Sequence, residues 1–373
     1  MNSTAITSSP PATDELEVSL FGPGIGECVV VHLGNGDWMV VDSCLNGNRS
    51  EPVALEYLRS LGVDVQSQVR LFVLTHWHDD HIQGAGAFIR EAVSARFACS
   101  AALRNDEFRQ ILALSQQIRL VERDSSTSEL ASIFEELHLR KRRGSRSLAA
   151  PDHWVQDGQT LFPSVGNGSA SVVALSPSSQ TVMDASLRFA QLIPKASEQI
   201  RRFPRCTPND QSIALLLQSQ FVSILLGGDL ESVGDPDRGW QAVVNSPVRP
   251  QVKGHAIKIA HHGSENGDHD GIWEALLELD SPAMLTPYAT GKNPLPSEQD
   301  IQRLKSRTNR VYCTSWPPTR KPPKRHPGVD RTLREMTRMH RAVARRVGHV
   351  RLRVSMAATN SPAVETLNGA RLL

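Results

Sequence analysis

The sequence lacks any apolar run of the roughly 20 residues that a membrane-spanning helix needs. Its five cysteines, at 28, 44, 99, 206 and 313, are odd in number and form no C-x-x-C pair. A disulfide framework is therefore not expected, and a reducing cytoplasm is the expected location. Residues 1–14 have neither a basic nor an apolar leader segment, so we expect a disordered lead and no secretory signal. Aromatic residues are only 5% of the chain, which leaves few side chains to stack on bases.

The 373 residues are 39% hydrophobic, which is enough for one large α/β domain or two smaller ones. The net charge of +2 indicates no particular partner, but the basic residues are clustered. Such clusters occupy residues 140–146, 201–205 and 320–346, and residues 317–346 carry ten basic residues against two acidic ones. Clusters of this kind suit an anionic partner, and nucleic acid or a nucleotide is the class we expect.

The stretch L-F-V-L-T-H-W-H-D-D-H-I-Q-G-A-G, residues 71–86, carries most of the chemistry. Four apolar residues predict a buried strand, and His76, His78, Asp80 and His81 follow it within six positions. His76 and His78 are two apart, so an extended backbone points both side chains the same way. Imidazole and carboxylate together suit zinc and similar divalent ions, so this spacing predicts a metal site rather than a solvated loop.

Two later strands also end in ligand-type residues. F-V-S-I-L-L-G-G-D ends at Asp229, and a strand at 256–260 runs into His261-His262-Gly263-Ser264. A hairpin with Asn35-Gly36 at its turn ends in Asp42. Helices are expected between these strands, whereas residues 178–208 are expected to be irregular. The alternation of strands and helices predicts a layered α/β fold.

These motifs, in this order, resemble the metallo-β-lactamase superfamily. Within it they look most like the hydrolase domain of bacterial DNA-uptake channel proteins (the ComEC type) and its soluble relatives. The shared features are G-P-G-I-G-E, Asn209 to Ser212, Gly228-Asp229, His261 to Ser264, and Thr314 with Gly348-His349-Val350. The resemblance implies an αββα sandwich, two mixed β-sheets flanked by helices. It would cover residues 15–316 with a helical insertion at about 104–147, a basic insertion at 317–346, a closing strand at 347–358 and a disordered tail at 359–373.

The resemblance also implies two divalent metal ions, zinc with manganese as the alternative. His76 and His78 would bind the first ion, Asp80, His81 and His262 the second, and Asp229 would bridge them. His262 is preferred to His261 because the last ligand of the superfamily precedes a glycine. Asp42 would accept a hydrogen bond from a ligand histidine, and Asn209 and Ser264 would support the site in the same way.

One departure concerns the first ion. Many members of the superfamily have a third histidine for it, but the matching position, near Ser176-Pro177, has none. Water, Asn209 or Asp210 would then complete the coordination of that ion, or the protein would hold only one ion.

The resulting expectation is a metal-dependent hydrolase, a phosphodiesterase or nuclease that uses a metal-bridging hydroxide. Asp80 would orient the hydroxide, and His261 or a metal-bound water would protonate the leaving group. Arg140, Lys141, Arg142 and Arg143 would bind substrate phosphates. The alternatives are an ester, lactone or thioester hydrolase of the same fold, and a non-catalytic nucleic-acid-binding scaffold.

Overall fold

A computed structural model describes residues 9–22, 26–104, 125–142, 153–166, 168–192, 208–289, 293–317, 328 and 347–373. Within these residues the chain forms two eight-stranded sheets that pack face to face with helices outside them. The predicted αββα sandwich is confirmed.

In the first sheet the described strands lie in the order β15-β14-β1-β2-β3-β4-β5-β6. The strands are β1 Glu15–Gly22, β2 Cys28–His32, β3 Trp38–Val41, β4 Val69–Leu74, β5 Arg96–Ser100, β6 His153–Val155, β14 Gly348–Ser355 and β15 Ala363–Leu367. Strands β3, β4, β5 and β6 are parallel, and the remaining pairs are antiparallel.

In the second sheet the described strands lie in the order β16-β13-β12-β11-β10-β9-β8-β7. They are β7 Thr160–Phe162, β8 Ser171–Ala174, β9 Leu215–Gln218, β10 Ser223–Leu226, β11 Ala256–Lys258, β12 Ala283–Leu285, β13 Val311–Cys313 and β16 Arg371–Leu372. Strands β10 to β13 are parallel, so each sheet has one parallel and one antiparallel half.

The α-helices of the described residues connect the strands on the outer faces. They are α1 Val53–Ser60, α2 Val65–Gln68, α3 Asp79–Ile82, α4 Ala85–Glu91, α5 Ser125–Arg142, α6 Ser179–Leu192, α7 Gly239–Asn245 and α8 Glu298–Arg307. Helix α8 begins with a reciprocal capping box between Ser297 and Asp300, which satisfies two backbone donors at once. No helix in the described ranges is both long and apolar enough to span a membrane.

Alternation along β1 shows how the sequence specifies the layers. Leu16, Val18 and Leu20 face the second sheet and are fully buried between the two. Phe21 faces the other way and packs with Tyr57 of α1 in the outer layer. Successive strand residues point to opposite faces, so one strand contributes to two apolar layers. A third apolar layer lies on the far side of the second sheet, where α7 and α8 pack against it.

The parallel halves determine where the site forms. Strands β3, β4, β10, β11 and β12 are followed at their carboxyl ends by Asp42, the 76–81 loop, Asp229, His261–His262 and Thr286, respectively. Carboxyl ends of parallel strands meet at one edge of a sheet, which is where open α/β folds place ligands. Both sheets therefore present their ligand-type residues at one end of the sandwich.

The chain departs from expectation at two places. Residues 359–373 are not a disordered tail, because β15 pairs with β14 and β16 pairs with β13 at the sheet edges. The segment expected to be irregular contains the 14-residue helix α6, whose Ala185 and Phe189 are buried in the outer layer.

The two expected insertions fall largely outside the described residues. Residues 105–124 and 143–147 of the helical insertion lie outside them, whereas α5 accounts for the residues between. Of the basic insertion at 317–346, only residues 317 and 328 are described. The closing strand is seen as β14, and Gly348 packs against Thr314. A Cβ at Gly348 would lie 1.6 Å from the carbonyl oxygen of Thr314, so this close approach requires glycine.

Candidate metal centre

Four ligand-type side chains from three loops converge at the end of the sandwich. Asp80, His81, Asp229 and His262 each offer one ligand atom, and these atoms all lie within 4.8 Å of one another. Nε2 of His262 lies 3.0 Å from Oδ2 of Asp80, and Nε2 of His81 lies 3.3 Å from Oδ2 of Asp229. The arrangement brings together the three ligands predicted for the second ion and the predicted bridging carboxylate.

The histidines predicted for the first ion are arranged less tightly. Nε2 of His76 lies 3.8 Å from Oδ2 of Asp229, so His76 faces the same carboxylate as the four-residue group. The ring of His78 lies 4.9 Å from that of His76. In the described part of the chain, no compact group of ligand atoms includes His78. The centre is therefore asymmetric.

Several buried polar atoms at the centre have no hydrogen-bond partner among the described residues. They are Nε2 of His76, Nε2 of His81 and Oδ1 of Asp229. An unsatisfied buried polar atom costs about 1–3 kcal/mol, so three of them in one place indicate a missing partner. Imidazole and carboxylate are the donors that zinc and manganese accept. The residues present therefore fit a divalent cation.

The pKa shifts agree with a site built for positive charge. Burial would raise the pKa values of the Asp80 and Asp229 carboxyls, but the neighbouring histidines outweigh it and leave both lowered. Burial would likewise lower the pKa values of His81 and His262, but the carboxylates outweigh it and leave both raised. The carboxylates and the imidazoles of the centre thus each favour the charged form of the other.

Asp42 lies behind the centre, as its predicted role requires. Its Oδ2 accepts a hydrogen bond from Nδ1 of His81 at 2.7 Å, and its carboxylate also accepts from the backbone and hydroxyl of Thr75. The Thr75 hydroxyl in turn accepts from Nδ1 of His76 at 2.9 Å. Both rings thus have their Nδ1 atoms engaged and their Nε2 atoms free to bind a metal.

His261 lies beside the centre with a carboxylate of its own. Its Nδ1 is 3.1 Å from Oε1 of Glu231, and its Nε2 is 3.2 Å from the amide nitrogen of Asn209. Asn209 also donates to Glu231 at 2.9 Å. Asn209 therefore supports His261 rather than a ligand of the metal group. Ser264 donates to Asn266, so its hydroxyl is occupied within its own turn.

The backbone is strained where it presents these groups. His261, His262 and Asp42 have φ values of 47°, 53° and 58°, in the left-handed region that residues with a side chain rarely adopt. Such conformations cost about 1–3 kcal/mol each and cluster at functional sites. The turn at His261 is held from outside by Arg303, which donates to the carbonyl of Gly263 at 2.8 Å.

Three residues that contact the centre from behind were not identified from the sequence. Glu27, Lys258 and Thr286 are at most 1% exposed and join one another and the ligand loops by hydrogen bonds and an ion pair. A lysine inside the otherwise apolar strand sequence A-I-K-I-A was the available signal. A buried lysine requires a carboxylate partner, but nothing in the local pattern identifies Glu27 as that partner.

The predicted substrate-binding run does not form one surface. Arg140 is only 4% exposed, and its guanidinium donates to the carbonyls of Ile89, Ala92 and Ala95 at and beyond the end of α4. Its role as a phosphate ligand is therefore wrong, because these bonds hold the side chain in the interior. The side chains of Lys141 and Arg142, and all of Arg143, lie outside the described residues.

Comparisons with known proteins agree with this geometry. Residues 21–107 match the family model described as the metallo-beta-lactamase superfamily. The matched segment includes Asp42 and the whole H-x-H-x-D-H stretch. No protein of curated function matches the sequence.

Solved structures resemble the chain only distantly. Metallo-beta-lactamase SMB-1 bound to 2-mercaptoethanesulfonate is 16% identical over 69% of this chain and 83% of its own, with a TM-score of 0.34. A motif mutant of the metallo-beta-lactamase from Cronobacter sakazakii is 14% identical over 63% of this chain, with a TM-score of 0.30, and the match spans 64% of that enzyme, under two thirds of its length. The hydrolase AbOPH of the beta lactamase superfamily is 13% identical over 59% of this chain and 72% of its own, with a TM-score of 0.31. These values are too low to transfer an activity.

The family-model match ends shortly after β5, and the second sheet supplies the rest of the centre. Asp229 and His262 lie outside the matched segment, yet they complete the group that His81 and Asp80 begin. The family model thus covers the part of the chain that carries Asp42 and the first ligand loop, and the second sheet lies outside the match.

Proposed function

We propose that the protein is a metal-dependent phosphodiesterase, with DNA, RNA or a signalling nucleotide as its substrate. The observation that carries the hydrolase part is the four-residue group with the neighbouring His76, because Nε2 of His76, Nε2 of His81 and Oδ1 of Asp229 are buried without a hydrogen-bond partner among the described residues. Divalent ions in such a centre supply a lowered pKa for water and stabilise charge on a phosphoryl oxygen.

The phosphodiester class is supported by the charge distribution. Basic residues at 141–146, 201–205 and 320–346 match the polyanionic character of nucleic acids. The resemblance of the motifs to the hydrolase domains of DNA-uptake channel proteins supports the same class. Two carboxylates in one ligand group also suit manganese, which prefers oxygen donors, as well as zinc.

The residues of the chain have separate tasks in this proposal. Asp80 is the most exposed of the four ligands, at 13% of its side chain, so its carboxylate is the one that reaches water and can hold a proton of the attacking molecule. His261 is 19% exposed and lies 3.1 Å from Glu231, whose carboxylate would stabilise the protonated ring; in that form His261 would give a proton to the leaving group at the rim. His78 is only partly buried and belongs to no compact ligand group of the described residues, so in this proposal substrate approaches from its side of the centre.

Turnover of bis(p-nitrophenyl) phosphate by the protein reconstituted with Mn²⁺ or Zn²⁺ tests the proposal. Asp80→Ala and His262→Ala are expected to lower kcat/KM by more than about 100-fold, beyond the loss typical for residues that only support a ligand. Asp37→Ala and His255→Ala, the same changes away from the centre, serve as matched controls and should retain activity. Hydrolysis of lactones or thioesters without hydrolysis of phosphodiesters would overturn the substrate class.

A scaffold that binds nucleic acid without cleaving it is the opposing outcome. It would show salt-dependent DNA binding and no turnover with either metal. Because phosphate contacts release counterions, the slope of log K against log salt reports how many of the basic side chains contact the strand.

A further inference from the structure

A buried ion pair joins the two sheets behind the metal centre. Nζ of Lys258, in β11 of the second sheet, contacts Oε1 of Glu27, which directly precedes β2 of the first sheet. Both side chains are 1% exposed. Burying two charges costs several kcal/mol each, and apolar residues of similar volume often stabilise a fold equally well. The pair therefore calls for an explanation other than stability.

The lysine end of the pair reaches the loop that carries Asp229. Nζ of Lys258 donates to the carbonyl of Gly228 at 2.9 Å, the residue before Asp229. The same nitrogen lies 3.9 Å from Oδ1 of Asp229, the carboxylate oxygen that has no hydrogen-bond partner among the described residues. Lys258 thus fixes the backbone at Asp229 and leaves Oδ2 facing the histidines.

The glutamate end reaches the other two ligand loops. The backbone N–H of Glu27 donates to the carbonyl of Asp80 at 2.8 Å. Its Oε2 accepts from the hydroxyl of Thr286 at 2.5 Å, and the carbonyl of Thr286 lies 3.2 Å from Nδ1 of His262. One ion pair is therefore connected to the loops of three ligands that come from different strands and from both sheets.

We propose that the Glu27–Lys258 pair is a positioning device that sets the relative placement of Asp80, Asp229 and His262, and thereby the affinity of the centre for a divalent ion. Metal–ligand distances tolerate deviations of only about 0.2 Å, and three loops on two sheets have no other common anchor in the contacts described above. The inference rests on the metal centre of the proposed function and is independent of the substrate class.

The charge of Lys258 is maintained despite its burial. Burial alone would lower the pKa of this amine, but Glu27 and Asp229 outweigh it and leave the pKa raised. A cation beside Oδ1 of Asp229 also limits repulsion among the buried carboxylates.

The test replaces both members of the pair at once, in the full-length variant Glu27→Gln/Lys258→Met. This double change leaves no unpaired buried charge, so the fold is expected to survive. Zn²⁺ affinity is measured by calorimetry on chelator-treated protein, and Co²⁺ is bound for its visible absorption spectrum. We expect Zn²⁺ affinity to fall by about 10- to 100-fold, the usual effect of losing residues that orient metal ligands, with an altered Co²⁺ spectrum.

A second ion pair, between a fully buried glutamate and an arginine that is 18% exposed, provides the control. Glu17 on β1 is fully buried and pairs with Arg353 at 2.7 Å, on the face of the first sheet that α1 covers. The variant Glu17→Gln/Arg353→Met removes a comparable pair without touching a ligand loop. It should retain wild-type Zn²⁺ affinity and the wild-type Co²⁺ spectrum, whatever its effect on Tm.

A single, smaller change keeps the inference open to disproof if the double variant fails to fold. Thr286→Val preserves the volume and removes only the hydroxyl that links Glu27 to the His262 loop. It should also weaken Zn²⁺ binding. Wild-type affinity and spectrum in every one of these two variants that folds, or an equal loss in the Glu17 control, would overturn the inference. A wild-type protein that binds no divalent ion would overturn the metal centre itself, whereas metal binding without phosphodiester turnover would affect only the substrate class.

Discussion

Nδ1 of His81 donates a 2.7 Å hydrogen bond to Oδ2 of Asp42, which closes one side of the centre against the first sheet. Asp42 follows β3 and His81 follows β4, and these strands are parallel neighbours. The bond determines which nitrogen of His81 faces Asp229 and Asp80. The carboxylate of Asp42, after β3, thereby orients a ligand histidine in the loop after β4.

Replacing Asp42 with asparagine should weaken metal binding without unfolding the protein. An amide has nearly the same volume, but as an acceptor it is weaker than a carboxylate and no longer compensates the charge on His81. Losing a residue that orients a metal ligand typically lowers metal affinity 10- to 100-fold. Calorimetric titration with Zn²⁺ at fixed pH measures it, and unchanged affinity in Asp42→Asn would show that His81 does not need this partner.

The asymmetry of the centre predicts different metal contents for two histidine variants. His78→Ala should retain about one tightly bound ion, because Asp80, His81, Asp229 and His262 remain together. His81→Ala should lose that ion, because it removes a member of the group. Metal analysis after gel filtration distinguishes the two, and equal losses in both variants would contradict the asymmetric arrangement.

Arg140 should prove to be a structural residue. Arg140→Met leaves the carbonyls of Ile89, Ala92 and Ala95 without their charged donor, so we expect the free energy of unfolding to fall by about 2 kcal/mol. Arg90 of α4 is exposed and offers a matched control. Arg90→Met should change the free energy of unfolding by no more than about 0.5 kcal/mol. Urea denaturation measures both; equal stability of the two variants would argue against this role for Arg140.

A pH effect on stability should arise from His349, away from the metal centre. Burial, with the charges of Arg351 and Arg353, lowers the pKa of His349 to about 3. The unfolded chain binds a proton here below about pH 6.5, whereas the folded chain does not until about pH 3. Stability is therefore lost as the pH falls through this window, by about 1.4 kcal/mol per pH unit.

The variant His349→Phe isolates that effect. A phenyl ring can keep the stacking on Phe21, whose ring lies 4.2 Å from that of His349, while removing the titrating group. The difference in unfolding free energy between variant and wild type should shift in favour of the variant between pH 6.5 and pH 4. Parallel pH profiles for the two proteins would rule out His349 as the source.

The ligand residues and the sandwich were accessible from sequence because their signals are local. His76, His78, Asp80 and His81 lie within six positions, and the strands that precede ligands read as short apolar runs ending in a polar residue. Asp229 and His262 also follow strands, and the resemblance to the metallo-β-lactamase superfamily assigned them to the same site as the 76–81 stretch.

The errors came from contacts between distant segments. The charge run at Arg140 resembled a solvated surface, and only the packing of α5 on α4 shows that its first arginine is buried. The final residues resembled a tail, and β15 is mostly exposed, yet it pairs with β14 along the sheet edge. Glu27 and Lys258 are far apart in the chain, so the sequence around either residue does not indicate that the two form an ion pair.

The pairing of β14 with β1 also governs how the protein can be assembled during synthesis. His349 bonds to Ser19 across 330 positions of sequence, so β1 keeps an open edge while all the ligand-bearing loops emerge from the ribosome. An unpaired strand edge invites association with other chains, and pairings between such distant segments form slowly. The first sheet closes only after residues 348–355 have been made, so the nascent chain passes through a long stage in which every metal ligand is present but the sandwich is incomplete.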